Sequence, residues 1–272
     1  MAASGDPPRA GVARGVFRAG DRGAGDGPVG RRRRMRRAPV IAGRELAGYF
    51  FSPIAYVAMA IFLGVSGFLF QDDLRPGEPA TMRTIMESMV WLLVFIVPLL
   101  SMGLVAQEWS GGTMEPLLTA PISETDVVVG KFLGAIAFFA ILLAPTLFYL
   151  LVLSIFARPD YGPILSGYLG MLLVGGLFLS VGLFCSTITR SQMVAAVSTI
   201  AILFAITIVP WWLARSVSLP AFWRSATEQM VFKRYSDFAK GVIDPAHVVF
   251  FAATTLLMLF FSVKIIEARR WK

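Results

Sequence analysis

The sequence predicts an all-α membrane protein with six transmembrane helices. Its mean hydropathy is +0.70 and 56% of its 272 residues are hydrophobic, whereas an ordinary soluble domain is about half apolar or less. A helix needs about 20 mainly apolar residues to cross the hydrocarbon core. Six stretches meet or approach that length: 54–70, 89–106, 132–156, 165–189, 192–213 and 246–263. We expect them to form one membrane domain over residues 39–272.

The residues before the first span are predicted to be a disordered basic tail, 1–38, because they are rich in Gly, Ala, Pro and Arg and show no apolar period. Residues 1–49 hold 11 Lys and Arg against 4 Asp and Glu, a net +7 of the total +8. Basic residues near membrane ends are retained in the cytoplasm. The basic run lacks the interleaved aromatic residues of nucleic-acid binders, so no nucleic-acid partner is expected. Met35 is an alternative start of the chain.

Local patterns predict how the first spans begin and bend. Leu46, Tyr49 and Phe50 recur at helical spacing within 40–51, which indicates a helix lying in the membrane interface before the turn at Ser52-Pro53. A helix beginning near Pro79 should run on into the second span. Two prolines within spans, Pro98 and Pro145, predict kinks in the second and third spans.

Charge counting predicts the orientation. With the amino terminus inside, 17 Lys and Arg face the cytoplasm and 8 face out. The protein is then a multi-pass protein of the plasma (inner) membrane with both termini cytoplasmic. The segment 107–126 lies inside, while 71–88 and 214–245 lie outside.

Several functional classes fit the sequence poorly. The six apolar cores carry no ionisable residue, which argues against a cotransporter. One cysteine, Cys185, and one histidine, His247, are too few for a metal cluster or a Cys/His nucleophile pair. Gly130-Lys131 is not a phosphate loop, since Thr125 and Phe132 stand where Gly and Ser or Thr are needed. We therefore expect no catalytic site in this chain, and an intramembrane enzyme is the weakest alternative.

The segment 107–126 is the most unusual of the predicted cytoplasmic parts. Gly111-Gly112 should end the helix that leaves the second span, and Thr113 can cap a short new helix. That helix would end at Pro121. Its apolar face at i, i+3 and i+4 consists of Met114, Leu117 and Leu118.

A capping box follows this segment. Ser123 and Asp126 have its spacing, with Asp in place of the usual Glu or Gln, and Ile122 and Val127 occupy hydrophobic-staple positions. A new helix should begin there and become the third span. On pattern alone, an ordinary interfacial loop is the alternative interpretation of 107–126.

Three stretches of the sequence resemble one family. Glu108, residues 112–123 and Gly130-Lys131 closely resemble the cytoplasmic signature of type-two ABC exporter permeases. Residues 44–57 resemble the amino-terminal elbow and first span of that family. Residues 238–244 resemble its gliding-motility-associated subgroup, close to the nitrous-oxide-reductase accessory permeases. The resemblance covers 39–272.

The resemblance implies a six-span permease subunit that carries an elbow helix, a cytoplasmic coupling helix and short external helices over 214–245. It would pair with a second permease copy or a paralogous membrane subunit, within membrane lipid, and with two ATPase subunits that bind ATP and magnesium. No cofactor is expected in this chain. The segment 107–126 would seat on the ATPase. The residues implied in this contact are Glu108, Gly111, Gly112, Thr113, Glu115, Leu117, Leu118 and Pro121.

Each of these residue types has an implied role. Glu108 and Glu115 would meet basic residues of the ATPase, or alternatively act only as local caps. Leu117 and Leu118 would enter a groove on the ATPase, and the two glycines would shape the turn. The main alternative function is a non-transporting scaffold, or a motility or assembly factor, that uses the same ATPase. The sequence pattern specifies no substrate.

Small residues also recur at helical spacing within the spans. Gly130 and Gly134, and Gly182 and Ser186, would let helices approach closely. Such spacing serves packing within one subunit at least as readily as pairing between subunits.

Overall fold

The computed structural model describes residues 37–73, 82–112, 123–156, 159–216 and 231–270. Within these ranges the chain is helical and has no strand. The predicted disordered tail lies outside them except for its last two residues. Residues 113–122, and residues 217–230 of the predicted external segment 214–245, also lie outside them.

The helices are labelled here in chain order. They are α1 Arg37–Phe51, α2 Pro53–Asp73, α3 Arg83–Ser101, α4 Ala106–Ser110, α5 Glu124–Leu143, α6 Leu147–Phe156, α7 Tyr161–Ile188, α8 Gln192–Ser216, α9 Val231–Ala239 and α10 Pro245–Arg270. A 3-10 turn, Ala144–Thr146, joins α5 to α6.

Six helical segments are long and apolar enough to cross a membrane, which confirms the predicted number. They are Pro53–Gln71, Arg83–Ser110, Glu124–Ile155, Tyr161–Ile188, Gln192–Leu213 and Pro245–Arg269. The second and third begin six and eight residues before the predicted stretches at 89 and 132. Hydropathy marks the apolar centre of a span and misses the polar turns with which a helix enters the interface.

Side-chain caps fix two of the helix starts. Ser123 Oγ accepts a hydrogen bond from the backbone N–H of Asp126 at 3.2 Å, which confirms the predicted start of α5. The Asp126 carboxylate does not reach back to the backbone of Ser123; it accepts instead from the Ser123 hydroxyl at 2.6 Å. Asp160 caps α7 in a similar way by accepting from Gly162 N–H at 3.1 Å.

Both predicted proline interruptions fall where helical hydrogen bonding changes. Pro145 lies in the 3-10 turn between α5 and α6, as expected for a residue without an N–H. Pro98 lies inside α3, and that helix ends three residues later at Ser101. A second short helix, α4, begins at Ala106.

The first helix, α1, covers the stretch predicted to be helical before Ser52-Pro53. It packs along α5 over the paired glycines. A Cβ on Gly130 would lie 2.7 Å from Ile41 Cβ, and one on Gly134 would lie 2.6 Å from Glu45 Cβ. The small-residue spacing at 130 and 134 therefore serves packing within this subunit. A location of α1 in the membrane interface stays a prediction.

The core of the bundle is built around α7. In the most apolar stretch of α7, 78% of the residues are buried. The corresponding share is 22% to 33% in the first, third, fifth and sixth spans. It contacts α3, α5, α8, α9 and α10. A side chain at Gly175 would overlap the Phe139 ring of α5, and one at Gly182 would overlap Ser101 of α3. Close helix approach thus requires glycine at these two positions.

Candidate functional site

The short helix α4 forms the last part of the second span and leads to residues 113–122. It ends at Ser110, and Gly111-Gly112 follow it as the sequence predicts. Gly112 has φ +68°, a left-handed conformation that a residue with a Cβ rarely adopts. Of the predicted site residues, the structure describes Glu108, Gly111 and Gly112. Thr113, Glu115, Leu117, Leu118 and Pro121 lie outside the described residues, and so does the predicted coupling helix.

A buried lysine joins α4 to two other helices. Lys131 of α5 has 2% of its side chain exposed. Its ammonium lies 2.5 Å from Glu45 Oε1 of α1 and 2.8 Å from Glu108 Oε1 of α4. We call Glu45, Glu108 and Lys131 the charge cluster. Both carboxylate side chains are 21% exposed, so the cluster lies at the edge of the packed bundle.

The charge cluster follows from the close packing of α1 on α5. Gly130 and Gly134 flank Lys131 and bring α1 near enough for Glu45 to reach the ammonium. A buried cation is costly unless it is paired and hydrogen-bonded. The ammonium donates two charge-assisted hydrogen bonds to carboxylates on two other helices, which meets that requirement and holds α1, α4 and α5 in one relative position.

A second contact fixes the connection between α3 and α4. Ser186 Oγ of α7 accepts hydrogen bonds from the backbone N–H groups of Val105 and Ala106, at 3.0 and 2.9 Å. It also donates to the carbonyl of Met102 at 3.0 Å. Backbone groups at the ends of helices lack intrahelical partners. Ser186 supplies those partners here, so the connection is bonded to the core helix.

Two arginines surround the indole of α4. The Arg269 and Arg190 guanidinium carbons lie 5.1 and 6.0 Å from the centre of the Trp109 ring. Arg269, near the end of α10, also donates a hydrogen bond to the carbonyl of Ile188 at the end of α7. Cations over an indole ring are attracted by its electron-rich face. The five-residue helix α4 is thus held to α1, α5, α7 and α10.

Tyr49 ties α1 to the end of α3. Its hydroxyl donates to the carbonyl of Leu100 at 2.8 Å, and its ring stacks on Phe138 at 4.6 Å. The carbonyl of Leu100 needs this donor because Leu104 N–H bonds to Ser101 instead. Burial raises the pKa of Tyr49, and the negative charge of Glu45 raises it further. The hydroxyl therefore remains a donor at physiological pH.

A cleft borders α4 next to the charge cluster. A cleft of about 470 Å³ lies between the turn from α1 to α2, the end of α3, and the start of α8. Its lining includes Tyr49, Pro53, Leu100, Gly103, Gln107 and Gln192. Glu45 of the charge cluster and Gln107 of α4 both line this cleft, so the cleft borders the cluster as well as α4.

The charge cluster was missed by reasoning from the sequence. The sequence places Gly130-Lys131 in the family's cytoplasmic signature and excludes it as a phosphate loop, and it gives Glu108 the role of a contact to a partner or a cap. The structure places the Glu108 carboxylate on Lys131. A contact between Glu108 and an ATPase stays a prediction. The available signal was the presence of one lysine and two glutamates at the ends of helices predicted to meet on the same face of the membrane.

Two comparisons place the chain among known proteins. Residues 40–222 match the family described as ABC-2 family transporter protein. Over 153 residues the chain is 29% identical to "Probable multidrug ABC transporter permease YbhS" of Escherichia coli strain K12, and equally so to the protein of that name in strain O157:H7. The aligned region is 55% of this chain and 36% of each relative, so the match spans about a third of their length.

Proposed function

From the premise that this chain belongs to the ABC-2 family of transporter proteins, since the family match covers more than half of it, we propose that it is the permease subunit of an ATP-driven exporter. ATP and magnesium are bound by a separate ATPase subunit, and a second permease copy or a paralogous membrane subunit completes the pathway. The complex lies in the plasma (inner) membrane with both termini of this chain in the cytoplasm.

The observation that carries the proposal is the bonding of α4. Residues 113–122, which we propose dock on the ATPase, follow directly after α4 and its Gly111-Gly112 turn. A displacement of α4 acts on α5 and α1 through the charge cluster, and on α7 through Ser186. Coupling between distant sites is carried by such bonded and packed elements when they have two arrangements.

The roles of the two acidic residues then differ. Glu108 acts inside the permease, because its carboxylate bonds to Lys131. We propose that Glu115 meets basic residues of the ATPase, while Leu117 and Leu118 enter a groove on its surface. Thr113 and Pro121 bound the docking helix, and Gly111 and Gly112 shape its entry turn.

A second candidate function rests on the resemblance of residues 238–244 to the gliding-motility-associated subgroup. These residues form the end of α9 and the turn into α10, where Gly241 has φ +90°. In this alternative the same ATPase drives a motility or assembly task instead of transport. The genes beside this one discriminate the two, because a copper-centre assembly cluster would favour the accessory-permease branch.

The docking proposal is tested by co-purification of the ATPase encoded beside this chain. The variant is Leu117→Asp with Leu118→Asp, which places two charges on a surface that must be buried in the complex. The matched control is Val242→Asp with Ile243→Asp. That pair is also adjacent and apolar, is 55% and 53% exposed, and lies at the opposite end of the bundle.

We expect the wild-type chain and the control to retain the ATPase and the Leu117/Leu118 variant to lose it. All three proteins should insert and express alike, because Val242 and Ile243 are exposed and Leu117 and Leu118 are proposed to face the ATPase. Retention of the ATPase by the Leu117/Leu118 variant at the wild-type level would show that residues 107–126 are not the docking element.

A further inference from the structure

Three residues from the ends of different spans come together beside α4. Trp109 is next to the last residue of the second span, Arg190 lies between the fourth and fifth spans, and Arg269 ends the sixth. The guanidinium carbon of each arginine is within 6.0 Å of the centre of the Trp109 ring. We call Trp109, Arg190 and Arg269 the arginine site.

The two positive charges of the arginine site face each other without a counter-charge. Arg190 repels Arg269. Among the residues that the structure describes, no carboxylate forms an ion pair with either arginine. The acids closest to the site in sequence, Glu108 and Glu267, each bond to a lysine. Contact with an indole ring orients a guanidinium without neutralising it, and the hydrogen bond of Arg269 goes to the neutral carbonyl of Ile188.

The start of α8 adds to the positive potential. This helix begins at Gln192, two residues after Arg190, and has no acidic residue in its first turn. The first N–H groups of a helix lack intrahelical partners, and the helix dipole places its positive end there. An anion near Arg190 would therefore be attracted by the two guanidinium groups and by the start of α8.

The arginine site lies at the level of the lipid headgroups. Residues 189–191 connect the span that ends at Ile188 to the span that begins at Gln192. Three residues extend at most about 11 Å, so a connection that leaves and re-enters the membrane within them stays near the headgroups. On the membrane side of the site, the rings of Phe184 on α7 and Phe261 on α10 lie 6.3 Å apart, and Phe261 is 42% exposed. A molecule bound here meets cations at one end and apolar surface at the other.

This arrangement matches the polarity of an anionic phospholipid. We propose that the arginine site binds the phosphate of one anionic phospholipid from the leaflet next to α4, with its acyl chains along Phe184 and Phe261. A guanidinium forms charge-assisted hydrogen bonds with phosphate oxygens in a fixed, forked geometry. Basic groups at the membrane surface favour lipids of net negative charge. A lipid is favoured over an acidic segment of the ATPase because a lipid also covers the exposed apolar surface of Phe261. Binding requires neither ATP nor the ATPase.

The test is native mass spectrometry of the full chain in detergent with two lipids of identical acyl chains. Phosphatidylglycerol is anionic, and phosphatidylcholine has no net charge. The main variant is Arg190→Gln with Arg269→Gln. Its matched control is Arg83→Gln with Lys240→Gln, which removes the same charge from exposed side chains paired with acids at the other end of the spans. The second variant is Arg190→Gln alone, which should keep the wild-type unfolding midpoint in lipid-free detergent because Arg190 is exposed.

We expect the wild type to bind phosphatidylglycerol more tightly than phosphatidylcholine, because the choline group brings a third positive charge to the arginine site. Arg190→Gln should weaken phosphatidylglycerol binding about tenfold or more, as loss of a hydrogen bond to a charged group predicts. The variant that lacks both arginines should bind it more weakly still, and the matched control should bind it as the wild type does. Equal binding of the two lipids, or an unchanged affinity in Arg190→Gln, would overturn the proposal.

Two other occupants of the arginine site would give different results. Displacement of phosphatidylglycerol by inorganic phosphate would assign the site to a soluble anion. Loss of the co-purifying ATPase from the variant that lacks both arginines, with phosphatidylglycerol binding unchanged, would assign the site to the ATPase. Either result would overturn the proposed lipid site.

Discussion

Lys131 sits between two glutamates that reach it from different helices, and its surroundings explain why α1, α4 and α5 keep their relative positions. The ammonium is bonded to both carboxylates, while its side chain is 2% exposed. An ion pair of this kind contributes little net stability when complete, but loss of one member leaves uncompensated charge in a buried place.

Replacement of Lys131 by Met should therefore destabilise the protein. Both glutamates would lose the ammonium of Lys131, and breaking a buried pair in this way costs about 3–5 kcal/mol. The measurement is the thermal unfolding midpoint of the purified protein in detergent. The control is Lys240→Met, because Lys240 is 42% exposed and pairs with Asp237 at the surface, where such pairs contribute about 1 kcal/mol or less.

Neutralisation of the two acids should reverse the effect. In a protein with Lys131→Met, the further changes Glu45→Gln and Glu108→Gln remove the buried negative charge. They should raise the unfolding midpoint most of the way back to that of the wild type. If Lys131→Met unfolded no earlier than Lys240→Met, the charge cluster would not hold the three helices together.

At the scale of helices, the packing of α1 on α5 depends on two glycines. Glu45 and the backbone of Ala42 pack directly against Gly134. A Cβ on Gly134 would lie 2.6 Å from the Glu45 Cβ and 2.9 Å from the Ala42 carbonyl oxygen. Gly130 makes the same approach possible one turn earlier. The charge cluster needs this approach, since Glu45 lies on α1 and Lys131 lies on α5.

The change Gly134→Ala should therefore separate α1 from α5 and lower the unfolding midpoint, although alanine is the better helix former by about 1 kcal/mol. The matched control is Gly64→Ala on α2, where a Cβ would meet nothing within 4 Å. That control should leave the midpoint unchanged or raise it. Equal midpoints for the two variants would contradict the described contact between α1 and α5.

The same elements show which features could be predicted from the sequence. The six spans, the Ser123 cap, the Gly111-Gly112 break and the interruption at Pro145 depend on residues within a few positions of each other. The charge cluster does not. Lys131 and Glu45 are 86 positions apart, and Lys131 and Glu108 are 23 apart. Their meeting is decided by helix packing, which periodicity and composition leave open.

Viewed as a whole, the described molecule has two mainly buried spans, the second at 67% and the fourth at 78%, and four mainly exposed ones. In the most apolar stretch of α7, 78% of the residues are buried, whereas the share in α10 is 22%. Apolar surface on the outer spans contacts lipid or another membrane helix, since water is absent at that depth. The proposed second permease subunit would use such surface.

The orientation of the whole molecule is testable by cysteine labelling in a Cys185→Ser background. Ser110→Cys lies at the end of α4 and Lys240→Cys just after α9, and both positions are exposed. Basic residues favour a cytoplasmic location for α4. A membrane-impermeant thiol reagent added to intact cells should modify Lys240→Cys and spare Ser110→Cys. Modification of Ser110→Cys from outside would reverse the proposed orientation.

The central claim is that ATP binding in a partner chain changes the conformation of this one through α4. It is tested most directly by pulsed electron-spin distance measurement between labels at Ser110→Cys and Ser154→Cys, both exposed positions, on α4 and α6, in the Cys185→Ser background. We predict that ATP with magnesium shifts the distance distribution in the complex with the ATPase and leaves it unchanged in this chain alone. An unchanged distribution in a complex that binds and hydrolyses ATP would contradict the account.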